Sequence, residues 1–162
     1  MSQISIAQLF EDNKEKLSLV WNLGLEYGNN YLSNDDTSCS NQGLSGHLNF
    51  IHPNWIQILS NLTIDYLNQL DEVSFQQKLD KLAQSNLACL VVADGSVAPR
   101  LLQSFAVETK IPLFCSPLSS LDVIWVLRSY LAKVLAPSTS KHGVLLDVLG
   151  MGVLITGDSG VG

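Results

Sequence analysis

The chain has 162 residues, enough for one domain with a sizeable core and part of a second. Hydrophobic residues make up 46% of it and charged residues 15%, a balance that excludes wholesale disorder. The formal charge is −6 and the nine basic residues are scattered, so general affinity for nucleic acid is excluded as well. No apolar run approaches the length of a membrane span. The N-terminus, MSQISIAQLFEDNKEK, lacks the basic start and apolar core of a secretory signal. Cys39, Cys89 and Cys115 are odd in number and form no CxxC pair. Cys89 and Cys115 sit in the apolar runs LACLVV and IPLFCS, where a thiol serves as a small core residue. A reducing cytoplasm is the expected compartment.

Ile6, Leu9, Phe10 and Leu17 recur at helical spacing, which predicts a short amphipathic helix over residues 5–16. Residues 17–23 (LSLVWNL) read as a strand closed by Gly24, and residues 33–43 (SNDDTSCSNQG) as a polar loop. Strand character resumes over residues 44–51. Pro53 then suits the first turn of a helix through Trp55, Ile56 and Leu59. His47 and His52 flank this stretch with no Cys or carboxylate at ligand spacing, so both are expected to be structural.

The middle of the chain alternates. A helix is expected over 73–85, with Phe75, Leu79 and Leu82 inward, followed by a buried strand over 87–93. Asp94 and Gly95 turn the chain into a helix over 97–109. Residues 111–115 form a second buried strand, and 119–135 a longer helix with Val123, Leu127, Tyr130 and Val134 inward. Asp94, Gly95 and Ser96 allow two readings, an anion site at a helix N-terminus or a helix cap; the residue types favour the cap. Strands alternating with helices predict an N-terminal α/β domain with a largely parallel sheet over residues 1–135. Pro137 stops the long helix, and residues 136–141 (APSTSK) read as a linker.

Beyond the linker, residues 142–162 read HGVLLDVLGMGVLITGDSGVG. Two β-rich runs, 144–148 and 153–156, are separated by a glycine-containing turn over 149–152 and predict a hairpin. Directly after the second run come Gly157, Asp158, Ser159, Gly160, Val161 and Gly162, a GxxxxG spacing. Glycines let successive backbone N–H groups approach phosphate oxygens with no Cβ in the way. The spacing alone also fits a tight strand-to-helix turn. Counting back through the hairpin with Val148 near Gly152 sets His142 opposite Asp158, beside the mouth of the loop. There the imidazole has two readings: a donor to phosphate or orienter of a proton, or a strand-end surface group.

The run Leu135-Ala136-Pro137, then His142-Gly143-Val144, then Gly152-Val153-Leu154-Ile155-Thr156-Gly157-x-Ser159-Gly160-x-Gly162 resembles the HPr kinase/phosphorylase family. Gly46-His47-Leu48-Asn49-Phe50 and residues 128–131 resemble its N-terminal domain more loosely. The resemblance implies an enzyme that phosphorylates a serine of the phosphocarrier HPr with ATP or pyrophosphate and removes that phosphate with inorganic phosphate. It implies ATP and Mg2+ as cofactors, HPr as partner and a homohexamer in the cytoplasm. His142 then matches an active-site histidine, and residues 157–162 the first part of the ATP-binding loop, in a truncated kinase domain over 142–162. The family's loop lysine, downstream Asp and Arg, and magnesium ligands are not in this sequence, so the chain by itself is expected to be inactive. Two other classes remain open: a module of another P-loop ATPase or GTPase, and a non-catalytic binding domain over 1–135.

Overall fold

The computed structural model describes residues 3–33, 50–51, 56–136, 143–148 and 151–156. Its elements in chain order are β1 (Gln3–Ser5), α1 (Ile6–Asn13), β2 (Val20–Leu23), β3 (Tyr31–Ser33), β4 (Phe50–Ile51), β5 (Ile56–Leu59), α2 (Asn61–Gln69) and α3 (Glu72–Ala83). Then follow β6 (Cys89–Val92), α4 (Arg100–Glu108), β7 (Leu113–Cys115), α5 (Ser120–Val134), β8 (Gly143–Val148) and β9 (Met151–Thr156). Most of the polar loop, Cys39, the two histidines and Pro53 with Trp55 lie outside the described residues.

A five-stranded sheet with order β2-β7-β6-β5-β4 carries the first domain. Its three central strands, β7, β6 and β5, are parallel, and β2 and β4 join antiparallel at the edges. The predicted α/β class holds, with the parallel pairing concentrated at the centre. All four residues of β6 are buried, as are all four of β5. Such strands need cover on both faces, and side-chain alternation with period two divides their residues between two cores. Ile56, Ile58, Cys89, Val91 and Phe114 pack with Ile6 and Leu9 of α1 and with Val123, Leu127 and Leu131 of α5. Leu59, Leu90, Val92 and Leu113 pack with Ile64 and Leu67 of α2, Leu79 and Leu82 of α3, and Leu102 and Phe105 of α4.

Phe114 anchors the first core. Its ring centroid lies 4.9 Å from that of Trp21, edge-on at 90°, and 5.4 Å from that of Phe10. Burying a side chain of this size contributes about 3 kcal/mol, before any gain from ring geometry. Gly24 ends β2 with φ +75°, and a Cβ there would lie 3.1 Å from the Pro112 Cα. Glycine is therefore needed to bring β2 back against β7.

Several elements differ from expectation. The helix expected through Ile56 and Leu59 is strand β5, because this apolar, isoleucine-rich run pairs in register with all four residues of β6. The helix begins only at Asn61, capped by Ser60, whose Oγ accepts from Thr63 N at 3.3 Å. The strand expected from residue 17 begins at Val20; Leu17 and Leu19 are buried ahead of it, across Ser18 with φ +48°. In α5 the buried stripe is Val123, Leu127 and Leu131, with Tyr130 and Val134 half-buried beside it. β1 and β3 form a separate antiparallel pair, Ile4 opposite Leu32, that the sequence pattern does not reveal.

Tyr130 ties α5 to α1, its hydroxyl donating to Asp12 Oδ2 at 2.6 Å. Burial, then this bond and the carboxylate charge, push the phenol well above its ordinary range. A raised folded-state value favours the neutral phenol. Its contribution is therefore full below the unfolded phenol's pKa of about 10 and is lost as the pH climbs beyond it. Tyr130→Phe is expected to lose about 1 kcal/mol in urea unfolding at neutral pH, and the difference should shrink above about pH 10. No difference at neutral pH would show that the hydroxyl contributes nothing, and a loss that stays constant above pH 10 would contradict the raised phenol pKa.

Candidate functional site

The sequence reading puts the candidate chemistry in the tail, where the structure describes the two strands β8 and β9. β8 and β9 pair antiparallel from Val148↔Met151 to Gly143↔Thr156. The expected pairing of Val148 with Gly152 is corrected by one residue, since Met151 and Gly152 belong to the strand and not to the turn. At the far end, Gly143 directly follows His142 in the chain and Thr156 directly precedes Gly157. The paired strand ends therefore hold the chain neighbours of His142 and of the glycine-rich hexapeptide side by side. His142, Gly157, Asp158, Ser159, Gly160, Val161 and Gly162 themselves lie outside the described residues, as does the linker beyond Ala136.

A second concentration of polar groups lies at the carboxyl edge of the parallel strands. Leu59, Val92 and Cys115 stand in register, so β5, β6 and β7 end together. Open α/β sheets bind ligands in the crevice beyond such an edge. Here Ser60 starts α2, Asp94 follows β6, and Ser116 follows β7 with its Oγ donating to Leu17 O at 2.7 Å. Asp94 adopts φ +58°, a left-handed conformation that Asp tolerates better than most residues. Its backbone N–H donates to Leu118 O at 2.8 Å, and that of Gly95 to Ser116 O at 3.1 Å.

The carboxylate of Asp94 reaches both ways. Oδ2 accepts from Asn61 N at 2.9 Å, and Oδ1 from Ser120 N at 2.8 Å. These are first-turn amides of α2 and α5, helices packed on opposite faces of the sheet. Asp94 is thus a cap, as its type suggested, but for two distant helices and not for α4. That helix begins after Pro99 without a side-chain cap. An Asp-Gly after a buried strand was the only sequence signal; the two partners lie 33 and 26 residues away.

Elsewhere the chemistry is sparse. Among the described residues no group of three or more His, Cys, Asp or Glu could hold a metal ion, and no helix is long and apolar enough to cross a membrane. Gln57 is fully buried in β5; its Nε2 donates to Ile58 O at 3.2 Å, while its Oε1 has no partner among the described residues.

Residues 4–131 match the model of the HPr serine kinase N terminus, and residues 133–162 match that of the HPr serine kinase C-terminal domain. The HPr kinase/phosphorylase of Nitrosomonas europaea is 54% identical over 162 residues, all of this chain and 50% of that protein. The protein of the same name from Chromobacterium violaceum is 43% identical over 162 residues, all of this chain and 51% of its own length. That from Burkholderia ambifaria is 41% identical over 163 residues, 99% of this chain and 51% of its own. The chain thus spans about half the length of the curated relatives it matches. Fold and matched regions together define an α/β first domain joined to the opening of a kinase domain. The chain belongs to the HPr serine kinase family.

The two described thiols behave as core groups. Burial pushes the Cys89 thiol far up, and it raises Cys115 too, although Asn22 Nδ2 at 3.7 Å from the sulfur partly opposes the shift. Raised values suppress the reactive thiolate at neutral pH. Mass-mapped alkylation of the native chain at pH 7.5 should leave Cys89 unmodified and label Cys115 slowly, with both reacting quickly in urea. Rapid native labelling of Cys89 would contradict the buried placement of β6.

Proposed function

We propose that this chain is the front part of a bifunctional enzyme. The enzyme transfers the γ-phosphoryl group of ATP to a serine of HPr and reverses the modification by phosphorolysis with inorganic phosphate. The observation that carries the proposal is the joint match to both HPr serine kinase regions, together with a strand, β9, that ends directly before Gly-Asp-Ser-Gly-Val-Gly. A strand leading into a glycine-rich loop is what a phosphate cradle needs, since the strand aims the loop and the glycines free its amides to point inward. Gly157, Asp158, Ser159, Gly160, Val161 and Gly162 would hold the phosphates of ATP through backbone N–H groups.

His142 directly precedes the neighbouring strand, β8, in the chain. Because β8 pairs with β9 up to Gly143 and Thr156, an imidazole one residue before Gly143 belongs at the same end of the hairpin as the loop. Its role in this reading is to donate to a phosphate oxygen or to orient the proton that moves between serine and base. Bound Mg2+ would neutralise phosphate charge during transfer, its ligands coming from outside the described residues. The proposed organisation is an α/β domain over 1–135, a linker over 136–141 and the start of the kinase domain over 142–162. A cytoplasmic, hexameric enzyme follows from the family resemblance alone.

The test uses the full-length protein with purified HPr and ATP·Mg2+, scoring phosphoserine on HPr. His142→Ala is expected to lower the rate at least 100-fold, in the range for losing a group that acts on a proton. His52→Ala should stay within a few-fold of the unmodified enzyme. Equal losses would remove the role given to His142, and absence of phosphoserine on HPr would overturn the proposal as a whole.

A further inference from the structure

The carboxyl edge of the first-domain sheet gathers the starts of α2, α4 and α5, and helix starts concentrate positive potential and unpaired N–H groups. In other doubly covered sheets that combination receives a ligand's phosphate or carboxylate. Here the anion is part of the chain. The two oxygens of Asp94 each take one first-turn amide, Asn61 N at 2.9 Å and Ser120 N at 2.8 Å, so the carboxylate joins two helices across the end of the sheet. Its placement is fixed independently by the Asp94 N–H on Leu118 O and the Gly95 N–H on Ser116 O.

We propose that Asp94 is a built-in substitute for a bound anion, closing the ligand crevice of the first domain to phosphate-bearing molecules. The residue type supports this directly. With φ +58°, glycine would fit the turn with less strain and asparagine about as well, yet neither offers two anionic acceptors. The carboxylate, not the turn, accounts for Asp at this position. Asp122 adds a further negative charge in the first turn of α5, its Oδ2 accepting from Ser119 Oγ at 2.6 Å. An incoming phosphate would meet carboxylates where it needs donors. The inference concerns the first domain alone and does not depend on what residues 157–162 bind.

Chemical rescue tests it. Asp94→Gly in the 162-residue chain removes the carboxylate while relieving the left-handed backbone, so any loss of stability reports the missing anion. Its melting temperature should fall by about 5–10 °C. Sodium formate, supplied against sodium chloride at equal ionic strength, should restore at least half of that loss in a saturable way and move the unmodified chain by no more than about 1 °C. Asp94→Asn should be destabilised without rescue, because its amide still fills the space. An Asp94→Gly chain as stable as the original, or one that formate affects no more than it affects the original, overturns the proposal. So does a variant that stays unfolded at every formate concentration. A measurement on the unmodified chain stands apart from the variants: titration with inorganic phosphate should leave the amide resonances of Asn61 and Ser120 in place, and saturable shifts there would show an open site.

Discussion

Burial of β6 on both faces is the constraint from which the rest of the first domain follows. A strand with no exposed residue needs a hydrogen-bonded neighbour on each side and a helix layer above and below. β5 and β7 supply the neighbours, α1 and α5 one layer, and α2, α3 and α4 the other. Because β5, β6 and β7 are parallel and in register, their carboxyl ends finish together. Helices that leave those ends for opposite faces must start close to one another. Asp94 stands where two of those starts converge, and its single carboxylate serves both.

The first domain and the tail stand in different physical positions. The first domain closes two cores around one sheet, with Phe10, Trp21 and Phe114 meeting in the first of them. The tail beyond residue 142 contributes one described pair of strands, and by register Leu146 and Ile155 share a face of it, 43% and 56% exposed. A two-stranded sheet is marginal by itself in water. The curated relatives are about twice as long as the chain, and the tail falls in the region that matches the HPr serine kinase C-terminal domain.

Much of the fold was legible because burial leaves a pattern. The unbroken apolar run LACLVV announces β6, and the helical spacing of Phe75, Leu79 and Leu82 announces α3, since both signals are local in the chain. β5 reads as helix in the sequence because Pro53 gives a helix-start signal and a four-residue run with three apolar residues is too short to separate strand from buried helix; its pairing with β6 decides the matter. β1 and β3 are three residues each, below what alternation can detect. The hairpin was found but slipped by one residue, since a turn flanked by glycines does not fix its own length. The glycine-rich hexapeptide stands out in the sequence because its GxxxxG spacing is complete within six positions. The double cap of Asp94 was not, because it joins segments brought together only by the finished sheet.

Amide hydrogen exchange on the full-length protein, with and without ATP·Mg2+, probes the division between the two domains most directly. Nucleotide should slow exchange in peptides covering residues 143–162 and in the chain that follows, and leave peptides covering 59–64, 93–100 and 116–122 unchanged. Protection of those three first-domain peptides with none over 143–162 would place the nucleotide at the edge held by Asp94 and contradict the account.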